Sequence, residues 1–251
     1  MMPKLLNVVI ENLKVDQYKV DIAIKLLKWT CRFSRPAVCF SGGKDSLVVL
    51  DLIAKIPELR EKILILSDDP IMPEEYYDYC ERILEKYNFK NVHWLRDYIR
   101  PEDWNYRIEK TKDVVLCCYH LKILPVQRFI LENKIEALIV AIRGDEHQER
   151  QKEKYVSIRK TPHYKIFRVH PILSWKLSDV WAYITENNLE INPLYLKGYT
   201  SLQCMPCLKR LPVEFRDVKE LIEYSLKHGD RQVRLEEKEV KMHILRKLGY
   251  F

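Results

Sequence analysis

Two groups of residues in this chain of 251 have the type and spacing to do chemistry: paired cysteines and a loop of serine, glycine and lysine. Four of the seven cysteines form two close pairs, Cys117-Cys118 and Cys204-Met205-Pro206-Cys207. Thiolates are soft ligands, and two pairs joined by folding supply the four sulfurs wanted by either zinc or a cubane iron-sulfur cluster. Paired zinc ligands are normally separated by about two to four residues, so the adjacency of Cys117 and Cys118 favours iron-sulfur. The expectation is one 4Fe-4S cluster on Cys117, Cys118, Cys204 and Cys207. Cys31, Cys39 and Cys80 each lie within an apolar strand or helix pattern and read as small buried hydrophobes.

The second group is Ser41-Gly42-Gly43-Lys44-Asp45-Ser46, which follows the apolar run Val38-Cys39-Phe40 and leads into a helical pattern. Glycines let the backbone approach an anion closely, and the following helix N-terminus offers unpaired N–H groups and a positive dipole. Ser41 and Ser46 add hydroxyls and Lys44 adds charge. The spacing is not that of a Walker loop, so a P-loop kinase or GTPase is not supported.

These residues need elements to hold them. Short apolar runs rich in β-branched residues alternate with longer stretches of helical period, the pattern of βαβ units and a mainly parallel sheet with helices on both faces. Strands are predicted at Ala37 to Phe40, Ile63 to Leu66, Val92 to Leu95, Ala137 to Ile142 and Ile166 to Val169. Helices are predicted at Lys44 to Lys55, Glu74 to Tyr87, Leu121 to Asn133 and Ser178 to Asn187. In Glu74 to Tyr87 the stripe Tyr76, Tyr79, Cys80, Ile83, Leu84 and Tyr87 is that of a half-buried helix. Pro125 is expected in the first turn of its helix or at a kink. After Pro212 the period is helical and the charge density rises, with helices at Val213 to Lys227 and Val233 to Leu248. The chain thus divides into an N-terminal helical segment (1–35), an α/β nucleotide- and cluster-binding domain (36–210) and a small C-terminal helical segment (211–251).

Net charge +7 suits a nucleotide-phosphate or nucleic-acid partner without choosing between them. No stretch approaches the roughly 18 to 20 uninterrupted apolar residues of a membrane helix, and Met1 to Asn12 is too mixed for a signal peptide. The expectation is a cytoplasmic protein with no membrane contact, whose seven cysteines are not a disulfide framework.

The hexapeptide Ser41 to Ser46 resembles the pyrophosphate loop of the ATP pyrophosphatase superfamily. That superfamily includes thiouridine synthases, asparagine and GMP synthetases, the small subunit of bacterial ATP sulfurylase and the sulfonucleotide reductases. The stretches His170-Pro171-Ile172-Leu173-Ser174-Trp175, Asp179-Val180-Trp181, Asn192-Pro193-Leu194-Tyr195 and Gly198 to Cys207, with Cys117-Cys118, resemble the cluster-containing adenylyl-sulfate and phosphoadenylyl-sulfate reductases. The likeness runs roughly from Phe33 to Arg210. It implies an adenine nucleotide alpha hydrolase-like fold and reduction of a sulfonucleotide to sulfite and an adenosine phosphate. It implies nucleotide contacts from Ser41, Gly42, Gly43, Lys44, Asp45, Ser46 and Asp145. Lys122 would lie beside the cluster, and Arg143 and Arg150 near the nucleotide, as catalytic residues. His147 alone is not assigned a catalytic role. Lys122, Arg128 and Arg159 are candidates for a 3'-phosphate contact.

Reductases of that family usually attack sulfate with a Cys in a C-terminal Glu-Cys-Gly motif, and no Cys follows Cys207 in this sequence. The reading therefore expects a separate electron-donor protein or a partner's thiol, in a homo-oligomer or hetero-oligomer. Reductases also commonly carry a degenerate loop, whereas Ser41 to Ser46 is complete, which resembles the ATP sulfurylase small subunit. The alternative is accordingly an ATP pyrophosphatase that adenylates or thiolates a substrate, nucleic acid included.

Overall fold

The computed structural model describes residues 13–67, 71–202, 204–207, 210–229 and 243–248. Helix α1 (Gln17–Thr30) starts where the Asp16 carboxylate accepts the Tyr18 N–H at 2.9 Å. Strand β1 (Pro36–Phe40) leads through the glycines into α2 (Lys44–Ala54), then α3 (Pro57–Lys62), β2 (Leu64–Ser67), α4 (Glu74–Lys86) and β3 (Val92–Trp94). A long helix, α5 (Val114–Glu132), crosses back to β4 (Ala137–Ile139). The chain then forms β5 (Val156–Lys160), β6 (Lys165–Val169), α6 (Leu177–Glu186) and α7 (Val218–His228).

The six strands lie in the order β3-β2-β1-β4-β6-β5. All pairings are parallel except β5 with β6, which is an antiparallel hairpin. From β1 the chain first fills one side of the sheet and then crosses to the other, so neighbouring β1 and β4 continue in opposite directions. A crevice opens at the carboxyl ends of two such strands, where open α/β sheets bind ligands.

Alternation along the strands sorts the core. Val38, Phe40, Ile65, Ile139 and Val169 belong to one cluster with residues of α1, α2, α4, α6 and α7. Ala37, Cys39, Leu64, Leu66, Leu138 and Ile166 join Val126, Phe129 and Ile130 of α5 on the other face. Helices therefore cover both faces of a mainly parallel sheet, as the sequence pattern requires. In α4 the predicted stripe Tyr76, Tyr79, Cys80, Ile83 and Leu84 is buried; Cys39 and Cys80 are core, and Cys31 is half-buried.

Four elements depart from the sequence reading, one being the short helix α3, which it left unassigned. β5 was not foreseen: Val156-Ser157-Ile158-Arg159-Lys160 mixes charge with apolar residues because it is an edge strand, with Ile158 exposed and charge discouraging further pairing. α5 begins seven residues before its predicted start, since Asp113 caps it by accepting the N–H groups of Val115 at 2.7 Å and Leu116 at 3.2 Å. α7 starts at Val218 rather than Val213, fixed by Asp217 accepting the Glu220 N–H at 2.9 Å. Most of the helix expected over Val233 to Leu248 lies outside the described residues; 243–248 are helical. The remaining boundaries fall within a few residues of expectation, β4 being the most shortened, at Ile139 instead of Ile142.

α5 has 19 residues and is, among the described residues, long and apolar enough by length and composition to cross a membrane. Lys122 and Arg128 interrupt it, and Val126, Phe129 and Ile130 pack against the sheet, so its apolar face is that of a crossover helix. Residues Tyr119–Ile123 make one wider turn, with the Leu124 N–H reaching back five residues to the Tyr119 carbonyl. Pro125 explains it: the proline has no N–H, and its ring crowds the carbonyl of Leu121 in a regular helix, so the backbone opens just before it.

One buried carboxylate ties three helices. Asp51 of α2 accepts the hydroxyls of Tyr87, at 2.9 Å, and Tyr183 of α6, at 2.6 Å, and pairs with Lys55 at 2.8 Å. Burial, and then the Asp51 charge, push both phenols far above their ordinary range. Asp51→Ala leaves two partly or wholly buried hydroxyls without their acceptor, and we expect it to cost about 2–4 kcal/mol in urea unfolding, against about 1 kcal/mol for Tyr183→Phe. Equal losses in the two variants would show that the carboxylate is not the tie.

Candidate active site

The loop after β1 is built around Gly42, whose φ of +62° is the left-handed conformation. A Cβ there would lie 2.7 Å from the Tyr76 ring and 2.8 Å from the Cys80 sulfur, both fully buried. Gly43 then caps α2 with extended backbone. Within the loop the Ser46 hydroxyl donates to the Gly43 carbonyl at 2.8 Å and accepts the Ser41 N–H at 3.2 Å, while the two serine hydroxyls lie 3.1 Å apart. Tyr195, from the Asn192-Pro193-Leu194-Tyr195 turn, accepts the Lys44 N–H at 2.9 Å through its hydroxyl. From the sequence that turn is part of a resemblance only, with no role for Tyr195.

Charges at the crevice are linked across β1 and β4. Lys44, nearly fully buried, pairs its ammonium with Asp45 at 2.9 Å. Arg143, which follows β4 and is 1% exposed, reaches the other Asp45 oxygen at 2.7 Å and Asp145 at 3.2 Å. Asp145 also accepts the Leu177 N–H at 2.9 Å, which fixes the start of α6. Arg150 pairs with Glu146, which also accepts the Arg143 N–H at 3.0 Å. The structure thus brings Ser41, Gly42, Gly43, Lys44, Asp45, Ser46, Arg143 and Asp145 together at one sheet edge. It gives Arg143 the contacts of a brace between two loops, where the resemblance implied a catalytic residue near the nucleotide.

Cysteines occupy a second part of the same edge. Cys204 and Cys207 flank a single helical turn, closed by the Cys207 N–H to the Cys204 carbonyl at 2.8 Å. The Met205 N–H donates to the carbonyl of Ile71 at 2.8 Å, four residues past β2, which sets this turn at the carboxyl edge of the sheet. Cys117 and Cys118 end the first part of α5. Burial pushes the Cys117 thiol up; a hydrogen bond to the Ile108 backbone opposes this, Cys207 and Glu109 add to it, and Lys122 subtracts. Members of both pairs therefore feel each other's charge, and Lys122 belongs to the same surroundings. All four are reduced thiols outside any disulfide and half-buried, unlike the core thiols of Cys39 and Cys80. Four thiolates are the donor set that an iron-sulfur cluster takes, and Cys117 lies within electrostatic range of Cys207. Among the described residues, no three His, Cys, Asp or Glu side chains are already gathered at metal-holding geometry.

A buried brace that the sequence reading missed holds the wide turn. Asp103, 2% exposed, takes His120 Nδ1 at 3.0 Å and pairs with Arg128, whose guanidinium also donates to the Tyr98 carbonyl at 2.9 Å. Burial would raise the Asp103 carboxyl, but the hydrogen bonds from Arg128, His120 and the Arg100 backbone outweigh it and hold it below its usual range. The Tyr106 ring stacks on His120 at 3.5 Å. Arg128, a candidate for a 3'-phosphate contact, is thereby engaged in this brace. Arg159 lies on the edge strand β5, and His147 caps the helical turn after Glu146 by accepting the Glu149 N–H.

Residues 35–210 match the family model described as the phosphoadenosine phosphosulfate reductase domain. The chain is similar to the adenosine 5'-phosphosulfate reductase of Oceanobacillus iheyensis, 27% identical over 223 residues, covering 82% of this chain and 88% of that protein. It is also similar to the adenosine 5'-phosphosulfate reductase 1 of Bacillus subtilis, 27% identical over 200 residues and covering 76% and 81%. The fold is shared with a phosphoadenylyl-sulfate reductase of Candida auris in complex with phosphate, with a TM-score of 0.57, 19% identity and coverage of 83% and 98%. It is shared as well with an FMN adenylyltransferase of Candida glabrata, with a TM-score of 0.55, 16% identity and coverage of 91% and 82%.

Gly42→Ala forces a methyl into the Tyr76 ring and strains the backbone. We expect about 2–4 kcal/mol lost in urea unfolding and at least about a tenfold loss of sulfonucleotide affinity by calorimetric titration. Wild-type affinity in this variant would remove the loop from the binding site.

Proposed function

Because the chain belongs to the phosphoadenosine phosphosulfate reductase family, we propose that it reduces adenylyl sulfate or phosphoadenylyl sulfate to sulfite and the corresponding adenosine phosphate. The observation that carries this reading is the hydrogen bond from Met205 to Ile71, which sets the Cys204–Cys207 turn on the same sheet edge as the glycine loop. In the reaction the bond between the bridging oxygen and sulfur breaks. Its electron pair stays with the phosphate oxygen, and two electrons from a donor become the lone pair of sulfite.

The residues divide this work by chemistry. The N–H groups at the start of α2, with Lys44 and the serine hydroxyls, suit the phosphate oxygens. Arg143, held by Asp45 and Asp145, and Arg150, held by Glu146, keep the loops around the nucleotide in place and lie ready to exchange carboxylate for phosphate or sulfate oxygens. Lys122, beside Cys117, supplies positive charge toward the leaving sulfite. Cys117, Cys118, Cys204 and Cys207 would hold one 4Fe-4S cluster, which when bound would supply redox or electrostatic chemistry next to the sulfonucleotide. Electrons enter from a separate donor protein, by direct transfer or through a thiol that the donor lends.

A second reading, ATP pyrophosphatase activity, has one observation in its favour: the loop Ser41 to Ser46 is complete in sequence and closed by its own hydroxyl contacts. The two readings give different products. Anaerobically purified protein, given adenylyl sulfate and a strong artificial reductant, is expected to release sulfite, and given ATP it is expected to release no pyrophosphate. Pyrophosphate without sulfite would replace the first reading by the second.

Iron and sulfide analysis of the same preparation is expected to give about four of each per chain. Cys117→Ser should lose most of the iron and the brown colour while unfolding in urea at nearly the wild-type midpoint. A colourless, iron-free wild-type preparation would remove the cluster from the proposal and leave the nucleotide site standing.

A further inference from the structure

At the sheet edge opposite the glycine loop, the amino ends of β1, β2 and β3 border a cavity of about 220 Å³. Arg35, Lys62, Asn91, His93 and Asn133 line it with Leu64, and among the described residues no carboxylate does. Three of these side chains are held in place by a partner outside the cavity wall or across it. Arg35 Nε donates to the Asn133 carbonyl at 2.9 Å, the Lys62 ammonium donates to the Cys31 carbonyl, and His93 Nδ1 lies 2.8 Å from the Tyr98 hydroxyl.

The Tyr98 oxygen accepts from Asn133 Nδ2 at 2.9 Å and keeps its own proton to give; donated to His93 Nδ1, that proton leaves the ring proton on Nε2. Among the described residues Arg35 forms no ion pair: Glu136, its neighbour across the sheet, accepts the backbone N–H groups of Ser34 and Arg35 at 2.8 and 2.9 Å. Among the described residues Lys62 has a single loose carboxylate contact, to the exposed Glu58 at 3.9 Å. The cavity wall is thus net positive, preorganised and rich in N–H donors, the requirements of an anion site.

We propose that this cavity binds a small oxyanion of the phosphate or sulfate type, gripped by the Arg35 guanidinium, the Lys62 ammonium and the Nε2–H of His93. Donors arriving from three strand ends suit a tetrahedral ion, whose oxygens point in several directions, better than a flat carboxylate. The site is separate from the nucleotide crevice, at the other end of the same strands, and does not depend on the activity assigned to that crevice.

His93 reports on it directly. The charged and titratable groups around the ring are Arg35, Asp97 and Tyr98; burial first, then Arg35, holds the imidazole below its ordinary range, and Asp97 opposes them. A bound dianion favours the imidazolium, so the His93 midpoint should move upward on binding and affinity should rise as pH falls. The test follows the His93 ring signals by NMR in the full chain during titration with inorganic phosphate and with sulfate, with chloride as the control for ionic strength.

We expect a saturable shift with a half-point on the order of 1 mM, retained in Lys44→Ala, which disables the glycine loop. It should weaken by at least about tenfold in Arg35→Ala, an exposed position, and in Lys62→Ala. Matching response to chloride, loss of the shift in Lys44→Ala, or an unchanged response in both Arg35→Ala and Lys62→Ala would each overturn the proposal. A response to phosphate but not to sulfate would identify the ion.

Discussion

The arrangement of this protein depends on one ionic contact placed where two parallel strands part company. Asp45, in the first turn of α2, is shared by Lys44 and by Arg143 from the loop after β4. β1 and β4 are neighbours in the sheet but far apart in sequence, and their following loops run in opposite directions, so nothing in the strand ladder itself fixes those loops. The shared carboxylate does so. Its position at a helix N-terminus is electrostatically favourable for the acid, and burial of Arg143 makes the pairing necessary, since a buried guanidinium without a carboxylate would be costly. The same contacts keep cationic side chains at the place where an anionic nucleotide would sit.

How much of this was legible in the sequence varies with the kind of constraint. Periodicity in α4 is decided by burial of Tyr76, Tyr79, Cys80, Ile83 and Leu84, and burial leaves its period in the chain. The glycine loop is also legible, because only glycine tolerates the φ of Gly42 and the wall of Tyr76 and Cys80. By contrast β5 owes its strand to a partner, β6, and an edge strand bears mixed polarity. The early start of α5 is set by one aspartate, Asp113, in front of residues without a clear period.

Residue types announce their chemistry but not their partners. The resemblance puts Arg143 and Arg150 near the nucleotide, and the fold pairs each with a carboxylate. Asp103, His120 and Arg128 are far enough apart in the chain that their common brace could not be read from spacing, although Asp103 at its centre is buried. Tyr195 was visible only as part of a motif; its contact with the Lys44 N–H needs the fold.

The wide turn at Tyr119–Ile123 uncouples two demands on α5. A regular helix advances about 100° per residue, so an added residue in one turn rotates everything before it by about that angle relative to everything after. The half of α5 that carries Val126, Phe129 and Ile130 keeps the phase that the sheet dictates, while the half that carries Cys117 and Cys118 follows another. One helix can thereby serve as structural beam and as mount for a thiol pair, with the azimuth of those thiols set by a proline eight residues away from the first of them rather than by the packing of the sheet.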